Sequence, residues 1–171
     1  MSDHERASSP RVAVLDIDGV LADVRHRIHH IRARPRDWDA FFAEVSADSV
    51  LDEGRAEALA AAASGLAIVY LTGRPERCRL DTVRWLEAHG LPEGDLVMRR
   101  DRDRRPAKVF KIQALRDLSR SCEVAYLLDD DPDVIAAASS AGYDVRLADW
   151  LPRDDAEADP LREAQETLGR T

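Results

Sequence analysis

The sequence predicts an α/β protein: a doubly wound parallel sheet with helices on both faces and a small helical insert. Three observations point there. Short apolar, β-branched runs recur along the chain, helix-like stretches separate them, and several runs stop at an aspartate or at threonine-glycine. Continuous apolar runs suit strands buried on both faces, as in a parallel sheet covered by crossover helices.

The elements follow in order. Residues 11–15 (RVAVL) form the first strand, ending at Asp16. Residues 66–71 (LAIVYL) form the second, preceded by Gly65 and ended by Thr72-Gly73. Residues 95–98 are a weaker third, 124–128 (VAYLL) a fourth ended by Asp129, and 144–147 a fifth. Between them, 53–64 is alanine-rich and closes at Gly65, a favourable residue just past a helix end. Residues 75–89 open with a proline suited to a first helical turn and close at Gly90. Residues 108–119 place Val109, Ile112, Leu115 and Leu118 on one helical face, and 132–141 closes at Gly142. Residues 22–50 interrupt the first crossover; they carry Trp38, Phe41 and Phe42 and are expected to form a small helical cap. Residues 1–10 read as a disordered tail, 11–150 as one domain, and 151–171 as an acidic peripheral segment.

A chain of 171 residues can bury the core of one such domain without disulfides. No apolar run approaches the ~20 residues that cross a bilayer, so no membrane partner is expected. Met1–Pro10 lacks the apolar stretch of a secretory signal. Cys78 and Cys122 stand apart, which argues against a disulfide framework or zinc cluster and makes a reducing cytoplasm the expected location. The net charge of −8 argues against nonspecific nucleic-acid binding overall. The cations are nevertheless concentrated. Residues 25–36 hold Arg25, Arg27, Arg32, Arg34 and Arg36 with no acid, and residues 99–111 hold Arg99, Arg100, Arg102, Arg104, Arg105, Lys108 and Lys111 against two aspartates. Two such islands can attract a polyanion despite the overall charge.

In an open parallel sheet, ligands bind beyond the carboxyl ends of the strands. There the sequence puts Asp16 and Asp18 with Gly19, then Thr72, Gly73 and Arg74, then Asp129, Asp130, Asp131 and Asp133. Carboxylates gathered in one crevice call for a hard divalent cation, and Mg²⁺ suits a few carboxylates plus phosphate oxygens. A hydroxyl, an arginine and a lysine alongside describe a phosphoryl site. Asp16, rigidly set at a strand end, can attack phosphorus and form an aspartyl-phosphate. Asp18 can serve as acid for the leaving oxygen and then as base for water. Asp130, with Asp129 beside it, completes the metal shell; Thr72 bonds a phosphoryl oxygen; Lys111 or Lys108 neutralises charge on the transferring group. These are the only two lysines in a chain with 23 arginines.

With those residues in place, the sequence resembles the haloacid dehalogenase-like (HAD) superfamily. The likeness rests on Asp16-Ile-Asp18-Gly19-Val20-Leu21, Thr72-Gly73-Arg74, a lysine at 108–111, and Asp129-Asp130, and it spans about residues 11–150. It implies the HAD Rossmann-like sheet, Mg²⁺ and an aspartyl-phosphate. It also implies a metal held by one oxygen of Asp16, the backbone carbonyl of Asp18 and a side chain of the fourth motif, with Asp130 preferred to Asp129. Within the superfamily the chain is most similar to the 3′-phosphatase domain of polynucleotide kinase-phosphatases. Three stretches carry this: the compact insert, Tyr70-Leu71-Thr72-Gly73-Arg74, and Leu96-Val97-Met98-Arg99-Arg100 with Asp103-Arg104-Arg105-Pro106 and Lys111. That register makes Lys111 the lysine of the third motif, with Lys108 one turn earlier, and makes Arg25 or Arg27 the arginine that follows the first motif. Some relatives have an acid four positions before this lysine, where this chain has Ala107.

The expected activity is therefore a Mg²⁺-dependent phosphomonoesterase acting on 3′-phosphates of DNA or RNA ends, with Arg25, Arg27, Arg99 and Arg100 contacting the substrate backbone. His26, Trp38 or Tyr70 offers a stacking surface for a base, although the two larger rings suit the core. Two alternatives remain open: a nucleotidase or small-molecule phosphatase whose pocket residues 22–50 close, and a non-catalytic phospho-acceptor module. The sequence is silent on oligomeric state.

Overall fold

The computed structural model describes residues 9–151. The expected acidic segment beyond residue 151 and all but the last two residues of the expected N-terminal tail lie outside the described residues. Five parallel strands form the sheet: β1 (Arg11–Leu15), β4 (Ala67–Pro75), β5 (Gly94–Arg99), β6 (Glu123–Asp129) and β7 (Val145–Leu147), in the order β5-β4-β1-β6-β7. Alternation along the strands sends side chains to two cores. Ala13, Leu15, Ile68 and Tyr70 pack with Tyr126 and Leu128 against α3 (Asp52–Ala63) and α4 (Arg79–Ala88). Val12, Val14, Val69, Leu71 and Leu127 pack against α5 (Ala107–Leu118) and α6 (Pro132–Ser140). The doubly wound sheet expected from the sequence is the sheet observed.

The chain leaves β1 towards β4 and β5 but leaves β6 towards β7, so strand order reverses between β1 and β6. That reversal opens a crevice at the carboxyl ends of these two strands, the place where such sheets bind ligands. The loop after β1 is a tight one: the Ile17 carbonyl accepts from the N–H groups of Val20, Leu21 and Ala22. Gly19 sits in it at φ +82°, and a Cβ there would overlap the Asp130 carboxylate.

Residues 22–50 contain the expected helices, α1 (His29–Arg32) and α2 (Trp38–Ala43), both short. They also contain a feature with no sequence signal, the antiparallel pair β2 (Ala22–Asp23) and β3 (Ser49–Val50) that closes the insert at its base. Phe41 and Phe42 are buried with Val24, Ile31 and Val45 against Cys78 and Met98, so the insert has a small core of its own.

Two sequence expectations change. The second strand runs on through Thr72-Gly73-Arg74-Pro75, and α4 starts only at Arg79. Pro75 is extended (φ −69°, ψ 151°) and pairs with Arg99 rather than opening a helix; proline fixes φ but permits either conformation. On α5 the buried face holds Ala107, Phe110, Lys111 and Leu115, whereas Val109 is exposed. A lysine occupying a core-facing position shifts the helix relative to its apolar pattern. No helix among the described residues is long and apolar enough to cross a membrane.

Gly54 on α3 faces the Val20 carbonyl so closely that a Cβ would collide with it. Glycine to alanine inside a helix ordinarily stabilises by about 0.4–1 kcal/mol. Here Gly54→Ala should instead destabilise by about 1–3 kcal/mol in urea unfolding, because backbone must move; a stabilised variant would contradict this packing.

Candidate active site

Lys111 reaches the β1–β6 crevice from α5 and is almost fully buried. Its Nζ donates to Asp16 Oδ2 at 2.7 Å and to Asp129 Oδ2 at 2.6 Å. The other oxygen of Asp16 accepts the Ile17 N–H at 2.7 Å, and that of Asp129 accepts the Asp131 N–H at 3.0 Å. Both carboxylates are thereby fixed from two sides. One oxygen from each of Asp16, Asp129 and Asp130 lies within 4.8 Å of the others. Such a set of hard oxygen donors on rigid strand ends fits Mg²⁺, and Gly19 leaves the space that the Asp130 carboxylate fills.

Burial disfavours ionisation in this group. The Asp16 carboxyl is pushed up to about 7, first by burial, against the pull of Lys111 and with the Asp129 charge adding to the rise. Burial raises Asp129 as well, and raises Asp130 with the charges of Asp129 and Asp16 behind it. Burial works against the Lys111 ammonium, but the two aspartates outweigh it and hold it charged.

Asp18, two residues on, has the opposite environment. Its Oδ1 accepts from Arg74 Nε (2.8 Å), an Arg74 terminal nitrogen (2.6 Å) and an Arg27 terminal nitrogen (3.0 Å). Burial opposes its ionisation, yet Arg74 and Arg27 together keep the carboxyl below its ordinary range. Asp48, which immediately precedes β3, takes the remaining bonds: Arg27 Nε at 2.7 Å, Arg27 at 2.9 Å and Arg74 at 2.6 Å. Two buried carboxylates thus face two buried guanidiniums. Thr72, also buried, accepts the Arg74 N–H through Oγ1 at 3.2 Å.

The sequence model of the polynucleotide kinase PNKP phosphatase domain matches residues 10–146. The chain belongs to this family of HAD-type phosphatase domains. No curated protein matches it. Among solved structures, one chain of the Pnkp1/Rnl/Hen1 RNA repair complex is similar with a TM-score of 0.68 and 21% identity, over 81% of this chain and 42% of that one. A class C acid phosphatase from Bacillus anthracis with tungstate bound gives a TM-score of 0.61 and 13% identity, over 93% of this chain and 78% of that one. A putative β-phosphoglucomutase from Thermotoga maritima gives 0.54 and 17%, over 92% of both chains. These likenesses are of fold. The chain spans less than half the length of the RNA-repair chains it matches.

Membership of a phosphatase-domain family sets aside the non-catalytic phospho-acceptor reading. In this PNKP-type domain the structure brings Asp16, Asp18, Thr72, Arg74, Lys111, Asp129 and Asp130 to one end of the sheet. Of the two lysines, Lys111 is the one buried against Asp16 and Asp129. Three arginines sit differently from the sequence expectation. Arg27 is fully buried between Asp18 and Asp48, so it is an internal ion-pair partner and not a surface contact. Arg99 is buried over the Phe110 ring, 4.7 Å from its centroid, and donates to the Arg105 carbonyl. Arg74 faces Asp18, Asp48 and Thr82. Arg25 and Arg100 are exposed as expected, Arg25 against Asp23. Tyr70 is buried with its hydroxyl on the Pro92 carbonyl, which removes it as a stacking surface. Asp48 was missed: Val-Ser-Ala-Asp looks like any loop aspartate, and its partners are 21 and 26 residues away.

The raised Asp16 makes a pH prediction. Its protonated form is favoured by folding, so this stability is complete below the ordinary value of 3.8 and is lost as pH rises through about 7. A divalent cation binds the ionised form and offsets that loss. Mg²⁺ at about a hundred times its Kd adds about 2.7 kcal/mol, or about 5–10 °C in Tm. Thermal-shift measurements should show this rise at pH 8 and much less at pH 5; equal rises would contradict the cluster's role.

Proposed function

We propose that the chain is a Mg²⁺-dependent phosphomonoesterase that forms an aspartyl-phosphate on Asp16 and removes 3′-phosphates from nucleic-acid ends. The observation that carries this reading is the pairing of a lysine-braced, metal-compatible Asp16 with an arginine-held Asp18 in one crevice. Residues 11–150 are the catalytic domain and residues 22–50 its cap. Asp16, Asp130 and the Asp18 carbonyl would hold the ion, with Asp129 bracing Lys111. When bound, Mg²⁺ screens the negative charge that an anionic nucleophile meets at a phosphoryl group.

The chain's own groups supply the rest. An Asp16 carboxylate oxygen bonds to phosphorus as the ester P–O bond breaks. Asp18, which Arg74 and Arg27 hold ionised in the free site, takes up a solvent proton as the negative charge of the phosphate arrives beside it, and gives that proton to the departing alkoxide. Asp18, now ionised, takes a proton from water as that water attacks phosphorus, and the Asp16–phosphorus bond breaks to release inorganic phosphate. Lys111 pulls Asp16 towards its ionised form and keeps it stationary. The Thr72 hydroxyl accepts from the backbone and keeps its own proton for a phosphoryl oxygen; the Gly73 backbone lies alongside.

The polyanion reading rests on the surface. Arg77 donates from its backbone to Asp101 and from its side chain to Asp39, tying the loop after β5 to α2. Arg25, Arg32, Arg100, Arg102 and Arg104, from the two basic islands, are exposed. Phosphate contacts of this kind position a strand without reading its sequence.

Asp16→Asn should abolish turnover of p-nitrophenyl phosphate while the circular dichroism spectrum stays native; retained turnover would remove Asp16 as nucleophile. For substrate, kcat/KM should be highest on a 3′-phosphorylated oligonucleotide, compared with a 5′-phosphorylated one and with mononucleotides. A mononucleotide advantage would favour the nucleotidase alternative. Arg100→Ala should lower the oligonucleotide value and reduce the slope of log rate against log salt by about one contact.

A further inference from the structure

Asp48 stands outside the groups that touch phosphate in the mechanism above, yet its carboxylate meets three side chains, Arg27, Arg74 and His26, where that of Asp18 meets two. It is 2% exposed. Its Oδ1 accepts from Arg27 Nε at 2.7 Å and contacts His26 Nε2 at 2.7 Å, while its Oδ2 accepts from Arg27 at 2.9 Å and from Arg74 at 2.6 Å. Its backbone is pinned too: the Trp85 indole N–H donates to the Asp48 carbonyl at 2.7 Å. Taking such a charge out of water costs several kcal/mol, which the two guanidiniums and the remaining hydrogen bonds offset.

Its effect on Asp18 follows from the shared nitrogens. One terminal nitrogen of Arg74 and one of Arg27 each bridge Asp48 Oδ2 and Asp18 Oδ1. The flat faces of both guanidiniums are backed by rings, Arg27 over Phe41 at 4.2 Å and Arg74 towards Trp85 at 5.9 Å. Neither can follow a displaced Asp18, and neither is free to swing onto its second oxygen. All three guanidinium bonds to Asp18 therefore end on Oδ1, while Oδ2 is buried and accepts none among the described residues. A guanidinium has only donors, so no proton can be passed through Oδ1.

We propose that Asp48 is a positioning residue of the phosphatase reaction: by anchoring Arg27 and Arg74 it confines them to one oxygen of Asp18 and keeps the other available to exchange a proton with the ester oxygen. The insert that carries Asp48 is thereby part of the catalytic apparatus as well as a cover over it. Without the Asp48 charge, two guanidiniums face one carboxylate, and both oxygens of Asp18 become bonded. This inference rests on the assignment of Asp18 as proton donor.

The test uses the leaving group. An alkoxide needs a proton to depart; 2,4-dinitrophenolate does not. The readout is the ratio of kcat/KM on 2,4-dinitrophenyl phosphate to kcat/KM on an alkyl ester, taking a 3′-phosphorylated oligonucleotide or a mononucleotide, whichever the wild-type chain turns over faster; kcat/KM reports only the steps through departure of the leaving group, so the shared hydrolysis of the aspartyl-phosphate does not enter. The ratio is independent of how much of a variant is folded. General acid catalysis is worth about 10²–10⁴-fold, so Asp18→Asn should raise the ratio by about that much, and Asp48→Asn should raise it more than about tenfold. If Asp18→Asn raises the ratio and Asp48→Asn depresses both rates alike, even to nothing, Asp48 is only structural and the inference is overturned while the mechanism stands. If Asp18→Asn leaves the ratio unchanged, Asp18 is not the donor and both fall.

Discussion

One buried ammonium organises this domain. Lys111 lies in a face of α5 that otherwise packs hydrocarbon, and it is tolerated there because Asp16 and Asp129 meet it from the ends of adjacent strands. Removing one partner of a buried pair leaves an uncompensated charge and costs about 3–5 kcal/mol. The bond therefore fixes α5 against β1 and β6 at the place where strand order reverses. It also fixes Asp16 in position before any substrate arrives, and pre-set geometry of this kind contributes much of the power of a catalytic site.

The two aspartates of the first motif are separated by a single isoleucine but live in different electrostatic surroundings. Asp16 shares its lysine with other carboxylates and is pushed up to about 7. Asp18 has two arginines and is held down. These are the shifts of the free site and they run against the roles proposed for the two acids; a cation beside Asp16 and a phosphate charge beside Asp18 would each push the other way. The difference depends on which way each side chain turns: Asp16 belongs to the crevice between strands, and Asp18 meets the Arg27–Asp48 pair that the insert contributes.

What was legible in the sequence follows from what is local. Apolar runs and the acids that end them lie next to each other in the chain, so the sheet and the positions of Asp16, Thr72 and Asp129 could be read directly. The two-residue strands β2 and β3 could not, because so short a pair has no periodicity. Arg27 and Arg99 looked like their exposed neighbours in arginine-rich stretches; each is buried because an aspartate or an aromatic ring distant in sequence receives it. Asp48 was invisible for the same reason. Pro75 and Val109 were misplaced because proline suits both a strand and a first helical turn, and because a buried lysine overrode the apolar stripe.

The central claim is that Asp16 and Asp130 share one divalent ion beside Lys111. Crystals grown with Mn²⁺ give the most direct measurement, since its anomalous scattering locates the ion without reference to activity. The account predicts one strong peak in the crevice between β1 and β6, bonded to oxygens of Asp16 and Asp130. A peak elsewhere on the molecule, with none within bonding distance of Asp16 at saturating Mn²⁺ and neutral pH, would contradict it.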